Sequence, residues 1–317
     1  MRQPALSLAE MSVIPITDVL AWVVIAVFLG GVVAEWQGRR EIARQLTAGA
    51  WSLFAVFWFL LIQYFVFIHR SIVESVLVLV AVPGCLYVGW KLLQGRDSLL
   101  LLSRAVAFMG LIYLPFETSV LARGVLIETV AAQTEFLIEV LGYGDGVRLI
   151  QDTSGETTFV NTFYFPETDR GSRIVFACTG IGSMAIFGGL ISAVKAPLRR
   201  KAVGTVVAVA IIWVLNIGRN AFIALANGHQ WFDQAWVEGP VMFAFGLSDP
   251  GRVSFFVADR ILSQGLAVFA LIGVAWLVAR WVPEILDIAE DLLYLVTGDE
   301  ITLRAPEAAP DGGDREV

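Results

Sequence analysis

An all-α polytopic membrane protein is the fold this sequence predicts, with about seven transmembrane helices and an exoplasmic insertion of one helix plus a β-hairpin. Three observations predict it. The 317 residues are 57% hydrophobic and 16% charged, with mean hydropathy +0.73. Soluble domains are nearer half apolar and a quarter charged. The apolar residues fall in runs of about twenty, the length a helix needs to cross ~30 Å of hydrocarbon. Basic residues gather in alternate links between those runs.

The spans read, in order, Ile16–Ala34, Ala48–Phe67, Ile72–Leu93, Leu99–Phe116, Ile174–Val194, Val203–Ala226 and Phe256–Trp281. They divide the chain into four regions. Residues 1–116 form a four-helix membrane region and 117–172 an exoplasmic insertion. Residues 173–282 form a three-helix membrane region that carries the chemistry. Residues 283–317 form a cytoplasmic amphipathic helix and an acidic disordered tail. Arg39, Arg40 and Arg44 follow the first span, Lys91 and Arg96 mark the end of the third, and Lys195, Arg199, Arg200 and Lys201 fill the link after the fifth. Such clusters stay on the cytoplasmic side, which puts the N-terminus outside and the C-terminus inside. In the first span the basic cluster follows the apolar stretch, which suits an N-out anchor better than a cleaved signal peptide.

The insertion opens with ETSVLARGVLIETVAAQTEFLIEVL, a helix-like stretch too charged to span easily. GYGDG and DTSGE read as turns, and VRLIQ and TTFVNTFYF as the strands of a hairpin. The hairpin leads by a short link to Cys178, either as an ordinary exoplasmic loop or as a lid over a substrate groove. A second outer loop, Asn227 to Gly251, holds His229, Asp233, Glu238 and Asp249, with Trp231, Phe232 and Trp236 as aromatic-belt anchors. Pro283 to Val296 reads as the amphipathic helix, and the tail from Pro306 is acidic and rich in Pro, Gly and Ala. Net charge is −7 with lysine only at Lys91, Lys195 and Lys201, a balance that suits a high-salt cytoplasm. No basic patch argues for nucleic acid.

Chemistry concentrates in three apolar runs. Cys178 opens the fifth, in ACTGIGSM, about one turn inside the expected helix. A helix N-terminus offers free N–H groups and partial positive charge, which favour the nucleophilic thiolate. Arg219 in LNIGRNAF and Arg260 in FFVADRIL are charges inside spans, where charge is costly and functional by default. Under the topology above all three residues lie near the outer face. Cys85 is mid-span in VPGCLYVG and reads as a small buried apolar residue. With no CxxC, a thiol–disulfide relay or zinc ribbon is not indicated, and isolated histidines with sparse carboxylates give neither a metal site nor a cofactor site.

A thiolate attacking an amide needs activated sulfur, a stabilised oxyanion and a proton for the departing amine. Arginine is no neutral base, but Arg219 and Arg260 can hold a thiolate as an ion pair and donate to an oxyanion. The backbone N–H groups of Thr179 and Gly180 can join them. Each residue also has a structural alternative. A cysteine in a span packs, and an arginine at a span end snorkels. Arg260 pairs with Asp259 or sits against Gln264, Asn216 acts as packing glue one turn before Arg219, and His229 is a surface loop residue. Three functions stay open on these residues: a transpeptidase, a membrane cysteine protease that uses water, and an anion-binding transporter. The last needs no thiol.

At CTGIGSM, NIGRNAF and ADRIL the chain resembles the exosortase/archaeosortase family, most specifically from Ile174 to Leu262. The family pattern is a cysteine opening one span, an arginine closing the next and a third polar residue opening the one after. Cys178, Arg219 and Arg260 match those positions, with Arg252 a rival for the third. The resemblance implies a membrane transpeptidase acting on secreted proteins that bear a C-terminal Pro-Gly-Phe signal, a transmembrane helix and a basic tail. It further implies a thioacyl-enzyme on Cys178, resolved by a prenyl-type lipid.

Overall fold

The computed structural model describes residues 8–69, 72–151 and 159–303. The DTSGE turn and the tail from Pro306 lie outside the described residues. Four helices come first: α1 (Leu8–Trp36), α2 (Arg40–Gln63), α3 (Ile72–Leu93) and α4 (Leu99–Thr118). A π-helical segment, Tyr64–His69, extends α2. The links are short, so neighbours pack antiparallel, α1 on α2 and α2 on α3. Within a bilayer, packing and interhelical hydrogen bonds hold helices together, because lipid is as apolar as leucine. Phe28 and Leu92 are fully buried, Phe28 meets the Trp51 ring edge-on at 5.3 Å, and the Trp51 indole donates to Ser103 Oγ at 2.9 Å.

Pro115 lies in the last turn of α4, and Ser119 then caps α5 (Val120–Val140), its hydroxyl accepting from Ala122 N. A three-stranded antiparallel sheet follows: β1 (Arg148–Gln151), β2 (Val160–Phe165) and β3 (Arg170–Arg173), in the order β1-β2-β3. The expected hairpin is its first pair, with Leu149 opposite Phe163. The third strand is a correction to that expectation. RGSR has no apolar alternation, and its pairing to β2 defines it. Phe163 and Phe165 point into an apolar cluster shared with α5 and α7.

The second half contains α6 (Ile181–Ala193), α7 (Leu198–Gly228), α8 (Ala235–Phe245), α9 (Val253–Phe256), a π-helical segment Val257–Ser263, α10 (Gln264–Ala279) and α11 (Leu286–Thr297). Among the described residues, six helices are long and apolar enough to cross a membrane. α6 is not one of them. The expected span Ile174–Val194 is corrected to a helix of 13 residues, about 20 Å long against the ~30 Å a crossing needs. The segment expected as a loop, 227–251, is corrected too, since it contains α8. The amphipathic helix is present as α11, which packs against α4. A cavity of about 720 Å³ is lined by Glu35, Arg96, Arg104, Lys195 and Asp291 among others. It lies at the end of α6 remote from Cys178.

Candidate active site

Cys178 does not lie inside α6, as the apolar run suggested. It sits in a 3₁₀ turn, Phe176–Thr179, immediately before the helix. Two local features stop the helix there. Thr179 Oγ1 donates to Phe176 O at 2.7 Å and lies 3.5 Å from Ile181 N, replacing helical bonds. Gly180 adopts φ +77°, a conformation that favours glycine. A side chain at Gly180 would also collide with its neighbour, because an added Cβ would stand 3.0 Å from Asn216 Cγ.

The turn is held from several elements. Phe176 faces the Tyr113 ring of α4 at 5.5 Å, with the Arg123 guanidinium of α5 5.6 Å from its centroid. Asn161 of β2 brackets Ile174, its side-chain amide donating to Ile174 O at 2.8 Å while its backbone carbonyl accepts from Ile174 N at 2.9 Å. The sheet is moored to the end of α7 by Asn227, which donates to Ser172 Oγ at 2.9 Å, and by Thr168, which donates to Gly228 O at 2.7 Å.

Asn216 and Asn220 stand one turn apart on α7. Both amides donate to the carbonyl of Cys178, at 2.8 and 2.9 Å. Asn216 was legible in the sequence as a polar residue on the face of Arg219, and Asn220 was missed. The i, i+4 spacing of the two asparagines was the signal that could have found it. The clamp fixes the peptide plane after Cys178, because that unit is planar and trans.

Arg219 stands close enough to the half-buried Cys178 side chain for its positive charge to act on the thiol. It also donates to Asp259 Oδ1 at 2.6 Å. The other oxygen of Asp259 lies 3.4 Å from Arg260 Nε. Asp259 is buried and therefore needs such partners. The structure thus brings Cys178, Thr179, Gly180, Asn216, Arg219, Asp259 and Arg260 into one connected cluster, and Arg260 joins it through Asp259. The π-helical segment shapes this arrangement, since it carries Asp259 and Arg260 next to each other on α7's side of the bundle. Such wide turns within helices recur at functional sites.

The remaining polar candidates lie elsewhere. His229 follows the last turn of α7, its ring against Tyr143 and Phe165 at 5.4 and 5.5 Å. Arg252 places its guanidinium over Phe256 at 5.2 Å. Cys85 is buried in the packing of the first four helices.

Comparison with known proteins places the chain in a family. Residues 17–248 match a family described as transmembrane exosortase. A protein called Archaeosortase A from Natronomonas pharaonis is 65% identical over 300 residues, covering 95% of each chain. Another of the same name, from Haloferax volcanii, is 52% identical over 302 residues, covering 91% of this chain and 97% of its own. This chain is a multi-pass membrane protein that belongs to the transmembrane exosortase family. No solved structure matches it.

Proposed function

We propose that this protein is a membrane cysteine transpeptidase that cleaves C-terminal sorting signals through a thioacyl-enzyme on Cys178. One observation carries the reading. The cysteine in the 3₁₀ turn has its carbonyl clamped by two asparagines and stands beside an arginine that pairs with the buried Asp259. A purely structural cysteine has no need of either.

Cys178 sulfur attacks the scissile carbonyl carbon, and the new C–S bond forms as the carbonyl oxygen becomes an oxyanion. Thr179 and Gly180 N–H groups stabilise that oxygen together with Arg219, a contribution of about 10²–10³ in rate per donor. The C–N bond then breaks, and the departing amine takes up the proton that the thiol released. A nucleophile then attacks the thioacyl carbon and frees the thiolate. Arg219 faces the sulfur, and Asp259 keeps the guanidinium aimed. Arg260 neutralises the second oxygen of Asp259, so the network carries net positive charge toward the thiolate.

On this reading the substrates are secreted proteins with a C-terminal Pro-Gly-Phe signal, a transmembrane helix and a basic tail. The acceptor is a prenyl-type lipid. The relatives' name supports substrates of the sorted kind. The N-terminus lies outside, the C-terminus inside, and the site opens outward. Residues 1–116, 117–172, 173–282 and 283–317 then act as scaffold, exoplasmic insertion, catalytic region and cytoplasmic segment. An anion transporter is disfavoured, because the Asp259 carboxylate already engages both arginines.

Cleavage and product analysis in cells test the proposal. Cys178→Ala abolishes substrate cleavage while Cys85→Ala leaves it intact. Mass spectrometry of the product C-terminus shows a lipid adduct. A free carboxylate would instead make the protein a protease.

A further inference from the structure

Arg104 lies in the second turn of α4, inside a span, and yet is only 6% exposed. An arginine this close to a helix end would ordinarily snorkel to water. This one turns inward. Its Nη1 donates to Ala193 O at 2.9 Å, and its Nη2 meets Glu35 of α1 at 2.6 Å. Ala193 is the last residue of α6, and its carbonyl is one of the four that the helix leaves without an internal partner. A cation at this end also complements the helix dipole.

α6 is the short helix that follows directly from the Cys178 turn, and it does not reach across the bilayer by itself. Its position is therefore set by what holds it. At one end Asn216 and Asn220 hold the Cys178 carbonyl. Along its side it presses on α4, where an added Cβ on Gly189 would stand 2.6 Å from Ala105 O. At the other end the Arg104 fork ties its final carbonyl to α1 and α4. The anchors on α4, Arg104 and Ala105, are adjacent in sequence.

We infer that Arg104 is a positioning residue for Cys178: by capping the far end of α6 and pairing with Glu35, it fixes the register of α6 against α4 and so the placement of the thiol. The inference rests on the reading of Cys178 as the nucleophile only for its kinetic consequence. The geometric consequence stands alone. Lysine is a poor replacement, because its compact charge lacks the fork that serves a carbonyl and a carboxylate together. Glu35 lines the cavity at this end of α6, so removing the arginine leaves a carboxylate that water can reach.

The test uses the full-length protein in a Cys85→Ala background, where Cys178 is the sole thiol because the chain has only 2 cysteines. Alkylation of Cys178 by a maleimide is timed, and kcat and KM are measured for a membrane-anchored substrate, each normalised to folded protein. Arg104→Ala is expected to change the alkylation rate severalfold and to lower kcat by about 10²-fold with KM nearly unchanged, the scale of a ~1 Å misplacement. Arg104→Lys is expected to lie between Arg104→Ala and the parent. Arg44→Ala, which removes the ion pair to Asp97 and the bond to Glu41, is expected to leave both readouts at the parent values. If Arg104→Ala does not fold, Glu35→Gln and Arg104→Lys carry the test by the same readouts. An unchanged alkylation rate in these folded variants overturns the inference, as does the same shift in Arg44→Ala. If the parent protein cleaves nothing, the reading of Cys178 falls, while the alkylation series still decides the role of Arg104.

Discussion

The first four helices and the second half of the chain use polar side chains in opposite ways. In α2 and α4 the hydroxyls turn back on their own helix: Thr47 donates to Ala43 O, Ser52 to Ala48 O and Ser103 to Leu99 O. Each satisfies its donor locally, and Ser103 also accepts from Trp51 of α2. From β2 onward, polar groups reach across elements. Asn161 holds Ile174, Asn216 and Asn220 hold Cys178, Arg219 holds Asp259, and Asn227 holds β3. The Cys178 carbonyl they hold belongs to a 3₁₀ turn, and Asp259 lies in a π-helical segment. Irregular backbone at membrane depth persists only where protein groups satisfy it. Cross-element bonds occur in the first half too, Trp51 to Ser103 between α2 and α4 among them, and Lys91, Arg96 and Arg104 reach into the second half.

The comparison predicts unequal effects of substitution. Asp259→Asn and Arg219→Lys strike the cross-element network and carry the largest loss short of Cys178 itself. Breaking a buried pair costs about 3–5 kcal/mol, so cleavage is expected to fall by 10²-fold or more, read from processed substrate in cells. Asp259→Asn that retains near-parental cleavage would remove the network from the account. Asn216→Ala and Asn220→Ala come next. They donate to one carbonyl, so either alone is expected to cost about tenfold and the double variant less than the sum of the two in free energy. Strict additivity would mean that they act separately. Thr47→Val and Ser52→Ala are expected to change melting temperature slightly and cleavage not at all.

The smallest effect concerns the tether between β3 and the loop after α8. Arg170 donates to Asp249 at 3.2 Å and holds that carboxyl below its ordinary range, with the Gly251 N–H helping. The sign follows from linkage: a depressed carboxyl contributes stability above its unfolded value near ~3.9, and that contribution disappears as pH falls through the lower folded value. Hydrogen exchange at β3 is therefore expected to quicken below about pH 4. In Asp249→Asn it should be fast at every pH.

The sequence reveals the spans because long apolar runs have one stable solution in a bilayer. It also reveals Cys178, Arg219 and Arg260, since polar groups in such runs stand out. It does not reveal the break before α6. The apolar run continues through FACTGIG, and the stop depends on the Thr179 hydroxyl and the positive φ of Gly180, which hydropathy does not show. β3 was hidden for a similar reason, being four residues of RGSR that are strand only by pairing. α8 was hidden by Gly239 and Pro240, which lower helix propensity in AWVEGPVMFAF. The link from Arg260 to the rest of the cluster runs through Asp259, and spacing alone could not separate that role from a simple neighbouring pair.

The central claim is that Cys178 is the sulfur that bonds to the substrate. Its most direct test is to trap the intermediate. Purified protein is mixed with a sorting-signal substrate, quenched in acid, digested and examined by mass spectrometry. The account predicts a substrate acyl group on the peptide containing Cys178, removable by hydroxylamine and absent in Cys178→Ala. Undiminished cleavage by Cys178→Ala, or an acyl group on Cys85 instead, would contradict it.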